Sequence, residues 1–95
     1  MKTYNEANWD IMEVLAKITD RKTMSLFLKD LLTPQEFEEI HHRWQIIKLL
    51  NKTVTQREIA KKLNVSIATI TRGSRALKNH KGGFNKILKS SEYYD

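Results

Sequence analysis

Apolar residues recur at intervals of three and four through most of this chain, the period of α-helices that pack by one face. From Glu6 to Ile18 the positions Trp9, Met12, Val14, Leu15 and Ile18 form a broad stripe, and residues 1 to 5 ahead of it read as a frayed end. Thr19 to Lys22 interrupts the pattern, and Asp20 is placed to cap a short helix from Thr23 to Leu31. That helix carries Met24, Leu26, Phe27, Leu28 and Leu31 on more than one side, which predicts burial between other elements or between subunits. The next start is marked more clearly. Thr33-Pro34-Gln35-Glu36 supplies a capping threonine, proline at the first helical position and glutamate at the third, and Phe37, Ile40, Trp44 and Ile47 then repeat in helical steps to Leu50. Asn51 to Thr53 ends this long helix.

Two short helical patterns follow. Gln56 to Leu63 presents Ile59, Ala60 and Leu63 on one face, and Ile67 to Leu77 presents Ile67, Ile70 and Leu77. Thr55 and Glu58 form a T-x-x-E capping box, Asn64 suits the left-handed residue that closes a helix, and Ser66 suits the N-cap of the next. Two helices joined by a three-residue turn describe a helix-turn-helix over residues 55–78, whose second helix enters the major groove of DNA. Gly73 lies inside that second helix, where glycine costs about 1 kcal/mol relative to alanine. Either a close helix crossing or a flat ligand against the backbone would account for it. Asn79 to Gly83 reads as a loop, Phe84, Ile87 and Leu88 as a short last helix, and Ser90 to Asp95 as a tail. The expectation is one all-α domain of about six helices over residues 1–95, without strands or repeats.

Charge sharpens this picture. Between Thr55 and Lys81 there are seven basic residues and one acidic residue, whereas the segments on either side are balanced, so the entire formal charge of +6 lies in the helix-turn-helix and the three residues that follow it. Phosphate neutralisation needs charge beside the reading helix, and double-stranded DNA is the expected partner. The aromatic residues Trp9, Phe27, Phe37, Trp44 and Phe84 fall on helical stripes and read as core, not as a stacking platform for single strands. The chain contains no cysteine, which excludes disulfides and thiolate chemistry. It has no apolar run long enough to span a membrane, and Met1 to Ile11 lacks the form of a signal peptide, so a cytoplasmic location is expected. His41 and His42 lie near Glu38 but point about 100° apart on a helix, which disfavours a shared metal ion. No nucleophile, phosphate loop or acid pair accompanies them, and the chain reads as a non-enzyme. Its helices outnumber what one short chain can cover, which points to a partner subunit.

The segment Leu32 to Lys78 resembles the tryptophan repressor family through LTP at Leu32 to Pro34, Arg43, TQRE at Thr55 to Glu58 and IATITRGS at Ile67 to Ser74. The resemblance extends more weakly through both flanks. It implies an intertwined six-helix homodimer that binds operator DNA when loaded with the corepressor L-tryptophan. Arg43 and Arg72 match the arginines that stack on the indole, and Gly73 leaves room for it. The carbonyls of Asp30 and Leu32, together with Thr33, match the acceptors for the ligand ammonium. Ala76 stands where the family has a serine that helps there, so a ligand without an ammonium, such as an indole acid or another aromatic acid, also fits the sequence. For DNA, the resemblance places Gln56 and Arg57 at the start of the first helix and Ile67, Ala68, Thr69 and Thr71 at the reading surface; Lys61 is a further DNA-binding candidate, and Arg75 and Lys78 suit phosphates. Ala60 replaces a family lysine, and the stretch from Ile46 to Thr55 is one residue shorter than the family spacing.

Overall fold

The structure, a computed structural model, describes residues 6–94, so the expected frayed start at residues 1 to 5 and the last tail residue lie outside the described residues. Six helices follow one another: α1 (Glu6–Lys17), α2 (Arg21–Leu31), α3 (Pro34–Asn51), α4 (Gln56–Leu63), α5 (Ile67–Leu77) and α6 (Gly83–Leu88). No strand occurs among the described residues. The chain divides into two compact units, Met1–Phe37 and Glu38–Asp95.

In the first unit, local capping fixes the helix ends. Asp20 is the N-cap of α2 and accepts the Thr23 N–H at 2.8 Å, which starts this helix at Arg21, two residues before the position expected from its apolar stripe. Thr33 and Glu36 cap α3 reciprocally: the Thr33 N–H donates to Glu36 Oε1 at 2.9 Å and the Glu36 N–H to Thr33 Oγ1 at 3.1 Å. None of the α2 residues is buried, and Leu26 and Leu31 are largely exposed.

The second unit holds the core. Ile46 from α3, Ile59 from α4 and Ile70 from α5 are fully buried against one another, with Leu49, Leu50, Val54, Ala60, Leu63 and Val65 packed around them. Each such isoleucine contributes about 1.5–3 kcal/mol of burial energy. Ile47 is equally buried.

The turns of this unit are closed by backbone geometry. Asn64 takes the left-handed conformation (φ 55°, ψ 50°) at the end of α4, and the Val65 N–H returns to the Ala60 carbonyl at 3.2 Å. A second left-handed residue, Thr53 (φ 64°), closes α3: its N–H donates to Leu50 O at 2.9 Å and that of Val54 to Leu49 O at 3.1 Å. This is the double return of a Schellman motif, with a β-branched residue in the place that favours glycine.

Several side chains differ from their expected places. Trp9 is 55% exposed and Phe27, Phe37, Trp44 and Phe84 are half-buried, so the fully buried core is aliphatic and none of the five aromatic side chains belongs to it. Ile67 leaves the apolar stripe of α5 and is half-exposed. The expected tail folds back: the Tyr94 N–H donates to Ser90 O at 3.0 Å, and the Tyr94 ring meets Trp44 edge-on with centroids 5.6 Å apart.

Candidate functional site

The starts of α4 and α5 are dictated by four side chains. Thr55 Oγ1 accepts the Glu58 N–H at 3.2 Å while Glu58 Oε1 accepts the Thr55 N–H at 3.4 Å, which completes the capping box. Ser66 Oγ accepts the Thr69 N–H at 3.1 Å and shares a hydrogen bond of 2.8 Å with Thr69 Oγ1. These caps set α5 at a defined angle to α4, and the buried contact of Ile59 with Ile70 keeps the two helices together.

Behind α5 lies a cleft of ≈ 210 Å³. Helix α5 lines it with Thr69, Arg72, Gly73 and Ala76, residues spaced i, i+3, i+4, i+7 and so on one face. Arg43, Ile46 and Ile47 of α3 and Phe84 of α6 complete its lining. The volume is below the roughly 300–1,000 Å³ of pockets for drug-sized ligands and suits one small planar molecule. Two guanidinium groups and no carboxylate face it, so the cleft favours an aromatic ring carrying a negative charge. A wider groove of ≈ 710 Å³, lined by Trp44, Asn79, Gly82, Gly83 and Ile87, shares Ala76 and Phe84 with the cleft.

Of the residues expected to hold a ligand, the cleft unites Arg43, Arg72, Gly73 and Ala76. Asp30, Leu32 and Thr33 belong to the first unit, where Leu32 caps the end of α2 in extended conformation, its N–H donating to Leu28 O at 2.9 Å. Gly73 has a packing reason of its own. A Cβ there would stand 3.3 Å from both Ile46 Cγ2 and Ile47 Cδ1, so the close approach of α3 and α5 favours glycine whatever the cleft holds.

Of the residues expected at DNA, Arg57, Lys61, Ile67, Ala68, Arg75 and Lys78 are exposed and Gln56 and Thr71 half-buried. Thr69 is engaged by Ser66 and turned to the cleft. Ile46, Ile47 and Phe84 were not among the expected site residues. The apolar stripes took in Ile47 and Phe84, and nothing in a stripe tells core from cleft wall. The His41 and His42 rings lie 5.8 Å apart, and among the described residues no group of three or more metal-ligating side chains converges. No helix among the described residues is long and apolar enough to cross a membrane.

Comparison with known proteins places these features in context. The model of the Trp repressor protein family matches residues 7–92. A Trp operon repressor homolog of Chlamydia caviae is 43% identical over 88 residues, covering 90% of this chain and 87% of the relative. One of Chlamydia trachomatis is 37% identical over 91 residues, covering 94% and 97%. One of Actinobacillus succinogenes reaches 55% identity over 53 residues, covering 55% and 52%. No solved structure matches the chain significantly.

Proposed function

The chain belongs to the Trp repressor protein family, and from that membership we propose that it is a sequence-specific, DNA-binding transcriptional repressor gated by a small aromatic corepressor, L-tryptophan, and that it controls genes of tryptophan biosynthesis or uptake. The observation that carries this reading is the double use of α5. One face lines the cleft with Arg72, Gly73 and Ala76 opposite Arg43, while Ile67, Ala68 and Arg75 remain exposed on the same helix for DNA. In this reading Arg43 and Arg72 sandwich the ring and pair with the ligand carboxylate. Arg57 reads guanine by a bidentate contact, Gln56, Lys61, Ile67, Ala68 and Thr71 complete the reading surface while Thr69, bonded to Ser66, stays on the cleft side, and Arg75 and Lys78 bind phosphate. Asp30, Leu32 and Thr33 supply acceptors for the ligand ammonium.

The working form is a homodimer in the cytoplasm. Only four apolar side chains are fully buried among the described residues, while Leu26, Leu31 and Ile40 are each more than two-fifths exposed, an apolar surface that a second copy would cover. The dimer sets two reading helices about 34 Å apart, one turn of B-DNA. Sedimentation of the purified chain as a dimer supports this, and a monomer at micromolar concentration rejects it.

A second reading has a specific observation behind it. Ala76 offers the cleft only a methyl group, so the regulator either responds to another indole or aromatic acid or needs no ligand. Titration calorimetry of ligand-stripped protein with L-tryptophan and with indole acids lacking the ammonium separates the two. Binding of L-tryptophan near one per chain, lost in Arg72→Leu, upholds corepressor gating. Binding in Arg72→Leu equal to wild type rejects the arginine sandwich. Selection of duplexes from a random library with and without L-tryptophan then reads the gate, which should change DNA affinity by about 5- to 150-fold.

A further inference from the structure

Asn85 is the only buried polar or charged residue among those described, at 8% exposure. Its Nδ2 donates to the carbonyls of Leu77 and Asn79, both at 2.9 Å. A primary amide has two donor hydrogens, and here both are spent on the end of α5. That end needs them. Helix α5 closes at Lys78 in right-handed conformation, without the left-handed residue that usually satisfies terminal carbonyls.

Helix α6 depends on the same contact. Six residues are too few for a self-supporting helix, and its N-cap Gly82 has no side chain to cap it. The loop between the two helices is drawn tight around Asn79: the Gly82 N–H donates to Asn79 O at 2.9 Å and the Lys81 N–H to Asn79 Oδ1 at 3.1 Å. A Cβ on Gly82 would come within 3.2 Å of Asn79 O. The position of α6 is therefore tied to the end of α5 by this tight loop and by one side-chain amide reaching back, and Phe84, the residue before that asparagine, lines the cleft.

We infer that Asn85 is a positioning residue for the cleft: by clasping the end of α5 it holds α6 in the one placement that puts Phe84 against the space between Arg43 and Arg72. Asn85 does not line the cleft and acts through Phe84. The inference rests on the reading of the cleft as the ligand site. A ligand packed on Phe84 tightens the clasp, and by linkage the clasp tightens the ligand.

The clasp is tested first without ligand. Ile46 and Ile47 line the cleft together with Phe84, and the difference of their methyl resonances between wild type and Phe84→Ala gives the ring-current shift of Phe84. In Asn85→Ala, and to a lesser degree in Asn85→Ser, which keeps one donor for two carbonyls, these methyl resonances move toward their positions in Phe84→Ala. Unchanged methyl shifts in the folded Asn85→Ser protein overturn the inference. Calorimetry with L-tryptophan is the second arm. Asn85→Ala weakens binding by about tenfold, the weight of one net hydrogen bond, while affinity for non-specific duplex DNA changes less than about twofold. Because Asn85 acts through Phe84, the double variant F84A/N85A binds no more weakly than Phe84→Ala alone. Losses that multiply in the double variant show a general structural role and overturn it. Failure of wild-type protein to bind L-tryptophan would instead reject the function proposed for the cleft, and the methyl shifts would still decide the clasp.

Discussion

Replacing Gly73 by alanine sets two effects of similar size against each other. Alanine in mid-helix gains about 0.8–1.0 kcal/mol over glycine. Against this, the added Cβ meets Ile46 Cγ2 and Ile47 Cδ1 at 3.3 Å and Leu50 Cδ1 at 3.8 Å. Ile46 and Ile47 are each 1% exposed, so neither can turn away into solvent. Forcing a methyl into a packed core costs about 1–3 kcal/mol. The balance is a net loss of about 1 kcal/mol, which lowers the melting temperature by roughly 4–8 °C in a chain of this size. Thermal unfolding of Gly73→Ala checks it, and a rise in melting temperature would refute the close-crossing argument. The same variant separates the two roles of this glycine. It lines the cleft as well as the crossing, so L-tryptophan affinity should fall beyond what the stability loss explains. Lower stability with unchanged affinity would leave Gly73 as a packing residue alone.

Thr53 carries a left-handed backbone that costs a non-glycine residue about 1–2 kcal/mol. After the entropy that glycine adds to the unfolded chain, Thr53→Gly should be more stable by about 0.5–1 kcal/mol in urea denaturation, and a loss of stability would show that the threonine side chain matters more than its φ. Ala76→Ser puts a hydroxyl into the cleft wall and is expected to strengthen binding of L-tryptophan while leaving indole acids unchanged, read by calorimetry on both ligands. The Thr23 N–H bonded to Asp20 holds that carboxyl below the ordinary aspartate range. A folded-state pKa below the unfolded one gives stability that is present above the unfolded pKa and is lost as pH falls through the folded one. Asp20→Asn keeps the cap and should flatten this part of the acid limb in unfolding measured between about pH 5 and 2.

The helix-turn-helix was legible in the sequence because each of its boundaries is a side-chain event within three or four residues. Thr55 with Glu58, Asn64, and Ser66 with Thr69 each make in the structure the local hydrogen bond or left-handed turn that their residue types suggest, and α4 and α5 begin and end where the pattern places them. Thr53 was not legible for the opposite reason. A β-branched residue is among the last expected at a left-handed position, and its φ is imposed by the two carbonyls of α3 that the turn must satisfy and by Val54 packing beside the core. The start of α2 shows how a cap outranks periodicity: Asp20 begins the helix at Arg21 although the apolar stripe begins later.

The cleft was half legible. Thr69, Arg72, Gly73 and Ala76 share a helix face that spacing alone defines, but Arg43 and Phe84 reach that face from other helices, and periodicity carries no information between helices. The same limit explains the aromatic residues. A stripe says that one side of a helix meets something apolar; it does not say whether that side is sealed by the chain's own core, as for Ile59 and Ile70, or left at a cleft edge, as for Phe84. Asn85 illustrates the limit most sharply. Asparagine on a short, lysine-bearing helix reads as a solvated residue, and only the tertiary approach of α6 to the open carbonyls of Leu77 and Asn79 turns it into the buried group that holds the end of α5.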